Sequence, residues 1–223
     1  MKINKTDFSI SYTINDYRFD RSNVKTLDIR ELDVSNANNL SMLFHGFRSI
    51  KSLDVSKLNT SAVTDMSKMF GFCSSLASLD LSSFNTNNVT NMSGMLEDCK
   101  SLTSLDLSSF DTSKVTYMIS MFDGCSSLTS LDLSNFNFKK AKNVNKMFAN
   151  CSSLTDLKFG KNLKVSLDLS DCPLTYESAL SVIDGLAKVE EQQKLTLSKT
   201  TYKSLTAEDI RQVEAKNWKI NNL

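Results

Sequence analysis

The fold is decided by a phrase that the sequence repeats. Residues 73–96 read CSSLASLDLSSFNTNNVTNMSGML, and residues 99–122 read CKSLTSLDLSSFDTSKVTYMISMF, nearly the same line 26 residues later. A fixed period of roughly 20 to 50 residues is typical of repeat architectures, in which each unit buries its apolar face against its neighbours. The sequence therefore predicts a stack of similar coils.

Five columns of residues follow this period and predict the core. Leucine fills two columns, cysteine and methionine one each, and the fifth is mostly phenylalanine. The columns are Leu53, Leu79, Leu105, Leu131 and Leu157; Leu76, Leu102, Leu128 and Leu154; Cys73, Cys99, Cys125 and Cys151; Met69, Met95, Met121 and Met147; and Leu58, Phe84, Phe110 and Phe136.

Within one repeat, the spacing predicts a strand, a polar bend and a helical turn. Leu79 and Leu81 alternate with polar residues, as in a strand with one buried face. Polar residues 85–88 follow, and the apolar spacing within residues 89–96 predicts a short helix or 3₁₀ turn. Stacking then predicts a parallel β-sheet on one face and the helical turns opposite.

The L-x-x-L-x-L spacing resembles leucine-rich repeats, and the fuller phrase resembles the BspA-like repeat of bacterial surface proteins, including a mycoplasma lipoprotein-associated domain. The resemblance covers about residues 25–172. It implies an α/β fold, specifically a right-handed leucine-rich-repeat solenoid. It also implies a non-enzymatic, adhesin-like module at the cell surface or secreted, whose partner is a protein or glycan of a host or neighbouring cell.

The ends of the chain depart from the repeat, which predicts three domains. Residues 1–24 alternate apolar and polar side chains and predict a β-rich N-terminal cap, residues 25–172 hold the repeats, and residues 173–223 predict an α/β C-terminal cap. Both Leu27 and Leu32 begin a phrase like the repeated strand, and the sequence leaves open which of them starts the first coil.

The C-terminal cap carries its own helix and strand signals. Apolar spacing predicts a helix over residues 176–189, and residues 194–197 read as a strand. Thr206 and Asp209 resemble a capping box that opens a second helix, and residues 218–220 alternate as a last strand.

Charge and hydropathy exclude two classes of partner. The formal net charge is +1, so no global field attracts nucleic acid, and no apolar run is long enough for direct membrane insertion. Lys2, Lys5 and Asp7 interrupt any signal-peptide core. Either a leader is missing from this sequence or the chain is an intracellular or phage-associated interaction scaffold, which is the alternative function. We expect a monomer.

The cysteines are interpreted as buried thiols. The chain has five cysteines and no C-x-x-C pair, whereas a zinc site needs clustered ligands. Cysteine behaves as a small hydrophobe when buried. We therefore expect neither a metal nor disulfide bonds, and the compartment stays open.

A row of aspartates lies between the strand leucines and is expected to point outward. The row, which is the first candidate for partner binding, consists of Asp54, Asp80, Asp106 and Asp132. Like charges on adjacent strands repel, so serines, water, a partner or a cation must offset them. A calcium site is disfavoured because calcium takes about six or more oxygens. Lys158 ends the row.

Three apolar residues replace polar ones in their columns and complete the candidate partner-binding set: Phe72, Tyr117 and Ile119. An exposed apolar side chain can anchor a partner, although single ones are common on protein surfaces. Lysines also concentrate late in the chain, at positions 139, 140, 142, 146, 158, 161 and 164. They are interpreted as a solvated flank drawn from different faces.

Catalysis is not expected. His45 is the sole histidine, and the sequence has no glycine-rich phosphate loop and no H-E-x-x-H motif. We expect no enzyme activity and no cofactor.

Overall fold

A computed structural model describes residues 21–222 and has an α/β architecture. The predicted N-terminal cap falls almost entirely on residues 1–20, which lie outside the described residues. The elements are β1 (Ser130–Asp132), β2 (Asp156–Lys158), β3 (Leu167–Leu169), α1 (Tyr176–Gly185), β4 (Gln193–Leu197), α2 (Lys199–Ser204), α3 (Ala207–Ala215) and β5 (Trp218–Asn222).

Successive repeats lie side by side and in register. Isolated parallel bridges join Asn39 to Asp65, Asp65 to Asn91, Asn91 to Tyr117 and Tyr117 to Asn143, so each step is one period of 26 residues. The repeated columns are almost entirely buried, and Leu105 is partly buried. The prediction that the columns form the core is confirmed.

Each of these bridge residues lies near the start of a segment of turns. We call these segments the turn layer, and they comprise residues 38–46, 64–72, 90–98, 116–124 and 142–150. In this layer, alternate backbone N–H groups donate to the next repeat. Met66 donates to Asn91 O at 3.0 Å, and Lys68 donates to Ser93 O at 2.8 Å. The intervening N–H groups close turns of three residues, such as Met69 N–H to Met66 O.

Of the two predicted alternatives, a short helix or a 3₁₀ turn, the turn layer contains single three-residue turns and no helix. A helix would need every N–H to donate four residues back along the same chain. Here half of the N–H groups are taken by the next repeat. Left-handed residues interrupt the path as well: Lys68 has φ +54° and Phe72 has φ +62°.

The predicted parallel sheet is present only in part. Within the repeats, β1 and β2 pair in parallel, with Leu131 opposite Leu157. Between residues 51 and 129, the corresponding level of neighbouring coils has at most one such bond, as from Ala77 N–H to Lys51 O at 3.1 Å. Because a ladder needs consecutive pairs, one bond per coil does not build a strand.

The start of the first coil is settled by its turns. Leu32 N–H donates to Ile29 O at 2.9 Å, and the same bond recurs one period later, from Leu58 N–H to Val55 O at 3.0 Å. Leu32 is thus equivalent to Leu58, and Leu27 starts the first coil.

All five cysteines are free and buried, as predicted. Each thiol donates to a backbone carbonyl of the preceding repeat, for example Cys73 Sγ to Phe44 O at 3.1 Å and Cys99 Sγ to Phe70 O at 3.3 Å. Burial raises the pKa of Cys73 to about 12 and raises the pKa of Cys99 as well. Both thiols therefore stay protonated near neutral pH.

These thiols should be nearly unreactive in the native protein. Disulfide exchange needs the thiolate, which burial disfavours. In a titration with Ellman's reagent at about pH 8, we expect almost no rapid reaction, followed by five equivalents after denaturation. A disulfide found in the native chain by mass spectrometry would contradict this expectation.

The C-terminal part forms a second parallel sheet in the order β3-β4-β5, with Leu167 opposite Leu195 and Leu195 opposite Ile220. The two predicted strands, β4 and β5, are confirmed. Helix α1 ends at Gly185, earlier than predicted, because Leu186 pairs with Leu163 and draws the chain into an extended path.

The C-terminal region contains one helix start that the sequence predicted and one that it did not. Thr206 and Asp209 form the predicted capping box of α3. Helix α2 was not predicted; Ser198 begins it by accepting a hydrogen bond from Thr201 N–H. None of the helices in residues 21–222 has the length and hydrophobicity that a membrane crossing requires.

Candidate binding surface

The aspartate row is exposed, as predicted. Each Oδ1 also accepts the backbone N–H of the serine two residues later. The pairs are Asp54 with Ser56 at 3.0 Å, and Asp80 with Ser82, Asp106 with Ser108 and Asp132 with Ser134, each at 2.9 Å. The carboxylates thus build a turn in every repeat. This structural task explains the row without a ligand, and a role in partner binding stays a prediction.

Hydrogen bonding also explains how the row tolerates its charge. The hydroxyl and N–H of Ser82 lower the pKa of Asp80, and they outweigh the opposing effect of Asp54. Ser134 and then Lys158 lower the pKa of Asp132 to about 2. Lys158 Nζ lies 3.0 Å from Asp132 Oδ2, so the expectation that it ends the row is confirmed.

The depressed pKa of Asp132 predicts a loss of stability in acid. The folded state holds the carboxylate below the ordinary pKa of about 3.9, so its contribution is present above that pH and is lost as the pH falls towards about 2. We expect Asp132→Asn, which keeps the accepting oxygen, to show a flatter pH dependence of unfolding below about pH 4. The free energy of unfolding is measured by urea titration at several pH values. If it falls equally steeply with pH in Asp132→Asn and in the wild type, this prediction is wrong.

Tyr117 is the fourth of the five bridge residues that join the repeats. It is 43% exposed, and within residues 21–222 only Met42 is another exposed large hydrophobic residue. Its neighbours across the ladder are Asn91 and Asn143. The prediction that Tyr117 is exposed is confirmed. Ile119, two residues later, is half-buried, so the same expectation for Ile119 is wrong in degree.

Tyr117 also lacks a hydrogen bond that the equivalent residues make to the backbone. In the sibling repeats, the bridge residue accepts the N–H two residues later: Asp65 from Ser67 at 2.8 Å, Asn91 from Ser93 at 3.0 Å and Asn143 from Asn145 at 2.9 Å. A tyrosine ring cannot reach back in this way. Ile119 N–H therefore has no acceptor among the described residues.

Phe72 does not join this surface. It is half-buried at the far end of the turn layer, two repeats before Tyr117. Its ring centroid lies 5.2 Å from that of His45 and 5.9 Å from the Arg48 guanidinium carbon. Burial and then Lys68 lower the pKa of His45. Phe72 is thus a packing residue of the first coils, and the expectation that it is exposed is wrong in degree.

Several lysines that are far apart in the sequence lie at the same level of neighbouring coils. The Tyr117–Asn143 bridge aligns Lys114 with Lys140. The register of the Asn137–Lys161 bridge then places Lys140 opposite Lys164, whereas the Leu163–Leu186 bridge places Lys164 opposite Ala187 and leaves Lys188 out of line. We call this the basic edge, with these members: Lys114, Lys139, Lys140, Lys142 and Lys164. The interpretation that the lysines come from different faces is therefore wrong for Lys140 and Lys164.

The remaining lysines of the late cluster lie elsewhere. Lys158 and Lys161 form ion pairs with Asp132 and Asp184. A signal for the basic edge was available in the 26-residue step from Lys114 to Lys140. The step from Lys140 to Lys164 is 24 residues, so a strict period conceals it.

Within residues 21–222, no three side chains of the histidine, cysteine, aspartate or glutamate types are grouped so that they could hold a metal ion. The only histidine, His45, packs against Phe72.

Comparison with known proteins gives one match. A family model described as "Mycoplasma protein of unknown function, DUF285" matches residues 13–106 and 77–167, which together make up more than half of the chain. No curated protein and no solved structure matches the sequence.

Proposed function

This chain belongs to the DUF285 family of mycoplasma proteins of unknown function, and from that premise we propose that it is a non-enzymatic binding module. In this proposal the repeats form a right-handed leucine-rich-repeat solenoid of the BspA-like type. The module acts at a bacterial cell surface or after secretion, and it presents one side of the solenoid to a protein or glycan.

The observation that carries this proposal is the exposure of Tyr117 within a ladder of asparagine and aspartate. The repeated residues have structural roles, since the leucines fill the core and the aspartates close turns. Tyr117 serves neither purpose, and it is 43% exposed. Tyrosine is enriched among the residues that contribute most to protein interfaces.

The test is a substitution that copies the sibling repeats. Tyr117→Asn restores the residue found at Asn91 and Asn143, so folding should be preserved. Labelled wild-type chain is screened against cultured animal cells, extracellular-matrix proteins and a glycan array. For the strongest target, we expect Tyr117→Asn to weaken binding by about 30-fold, the effect of losing a tyrosine hot spot.

The matched control is Met42→Lys. Met42 is the other exposed large hydrophobic residue within residues 21–222, and its column holds Lys68 and Lys146 with similar positive φ angles. This control should bind like the wild type. Unchanged binding by Tyr117→Asn, or no binding to any target in the screen, would contradict the proposal.

A further inference from the structure

We propose that Tyr117 and the basic edge together bind an acidic polysaccharide, a sugar polymer that carries carboxylate or sulfate groups. This inference rests on the proposed binding function and names the chemistry of the partner. It does not involve the aspartate row.

The first support is a line of uncompensated positive charge. The basic edge carries a lysine at the same level of three successive coils, through Lys114, Lys140 and Lys164, and all three are exposed. None of its five lysines forms an ion pair with residues 21–222. Adjacent strands lie about 4.8 Å apart, so these charges concentrate along the stacking direction. Such a line attracts an extended polyanion although the net charge of the chain is only +1.

The second support is the position of Tyr117 next to this line. Lys142 N–H donates to Thr116 O at 2.8 Å, and Tyr117 bridges to Asn143. These contacts place the backbones of Tyr117 and Lys142 side by side, and both residues are exposed. A surface that combines an exposed aromatic ring with ammonium groups fits a ligand that has both a C–H face and negative charge.

The third support is a pair of hydrogen-bonding groups left open at the same place. Ile119 N–H has no acceptor within residues 21–222 because Tyr117 replaces the side chain that would supply one. The side-chain amide of Asn145 lies exposed in the neighbouring repeat and makes no hydrogen bond to the described residues. Hydroxyl groups of a sugar can accept from the N–H and both donate to and accept from the amide.

This combination favours a polysaccharide over an acidic peptide. A peptide rich in glutamate or aspartate would use the ammonium groups and leave the ring with little to contact. A sugar polymer with anionic groups engages the ring, the amide and the lysines together. The two ligands therefore differ in how much they depend on Tyr117.

The experiment uses the full chain and four defined polymers: dextran sulfate, polygalacturonate, neutral dextran and poly-L-glutamate. Affinities are measured by biolayer interferometry at about 0.15 M salt, where surface charges are screened beyond about 8 Å. We expect binding to dextran sulfate, polygalacturonate or both, and none to neutral dextran. The two acidic polymers report whether sulfate or carboxylate is preferred.

Substitutions locate the site. Removing two charges with Lys140→Gln plus Lys142→Gln should weaken polysaccharide binding by about 10-fold, and Tyr117→Asn should weaken it as well. The control is Lys51→Gln plus Lys57→Gln, which removes two exposed lysines away from the basic edge and should change affinity less than about twofold.

Three results would overturn the inference: no binding to either acidic polysaccharide, equal loss with the control variant, or tight poly-L-glutamate binding that Tyr117→Asn leaves unchanged. The last result would identify an acidic peptide as the ligand. If the polysaccharides fail while Tyr117→Asn still abolishes binding to a protein target, this inference is wrong and the proposed binding function stands.

Discussion

Phe122→Ala is expected to lower the free energy of unfolding by about 3 to 5 kcal/mol, the range for removing a fully buried phenylalanine. Phe122 has no exposed surface, and its ring stacks on Phe148 with centroids 5.7 Å apart. Alanine would leave a cavity between two coils that a backbone held by ladders on both sides cannot close. Urea unfolding followed by circular dichroism measures the change.

The repeat supplies its own control for this substitution. The column that contains Phe122 reads Phe44, Phe70, Leu96, Phe122, Phe148, and all five residues are fully buried. Phe122→Leu copies the residue at position 96, so its cost should be only about 1 kcal/mol, well below that of alanine. If Phe122→Leu and Phe122→Ala lower the free energy of unfolding equally, the volume filled at this position does not determine the stability.

The period of the sequence predicts which side chains are buried but not where the backbone hydrogen bonds go. Val89, Met92 and Met95 have a helical spacing, and all three are buried as a helix face would be. Met92 N–H nevertheless donates to Tyr117 O, in the next repeat, at 2.9 Å. The apolar pattern is the same for both paths, so the sequence alone could not distinguish them.

The sequence also did not indicate that three threonine side chains are buried, because their hydrogen-bond partners lie in other coils. Thr60, Thr86 and Thr112 are each 1% exposed, although their segments read as polar bends. Thr60 Oγ1 donates to Asn85 O at 3.0 Å and accepts from Asn85 N–H at 2.8 Å. A threonine can be buried when both of its hydrogen-bonding roles are satisfied. The partner here lies 25 residues away, in another coil.

The candidate surface was predictable only in part. Tyr117 could be identified by comparing sibling repeats, because its column is otherwise asparagine and aspartate. The basic edge could be identified only as far as Lys114 and Lys140, since the step between coils shortens to 24 residues at the Asn137–Lys161 bridge. Alignment of lysines across that change follows from the bridges, which sequence spacing does not reveal.

Gly160→Ala is expected to destabilise the protein by about 3 kcal/mol or more, the upper end for forcing extra volume into a packed interior. A Cβ at position 160 would lie 2.1 Å from Phe136 O and 2.8 Å from Leu133 O. Both atoms belong to the backbone, so no side-chain rotation can relieve the overlap. Phe136 O also accepts Lys161 N–H at 3.0 Å, and moving it would break the contact between two coils.

The comparison variant is Gly46→Ala, which separates crowding from backbone strain. A Cβ at Gly46 would meet no atom within 4 Å, but its φ of +80° disfavours a side chain. Its cost should therefore be about 1 kcal/mol, from the left-handed conformation alone. If Gly160→Ala costs no more than Gly46→Ala in urea unfolding, the coils can separate enough to admit a methyl group, and the close approach at Gly160 is not what fixes their spacing.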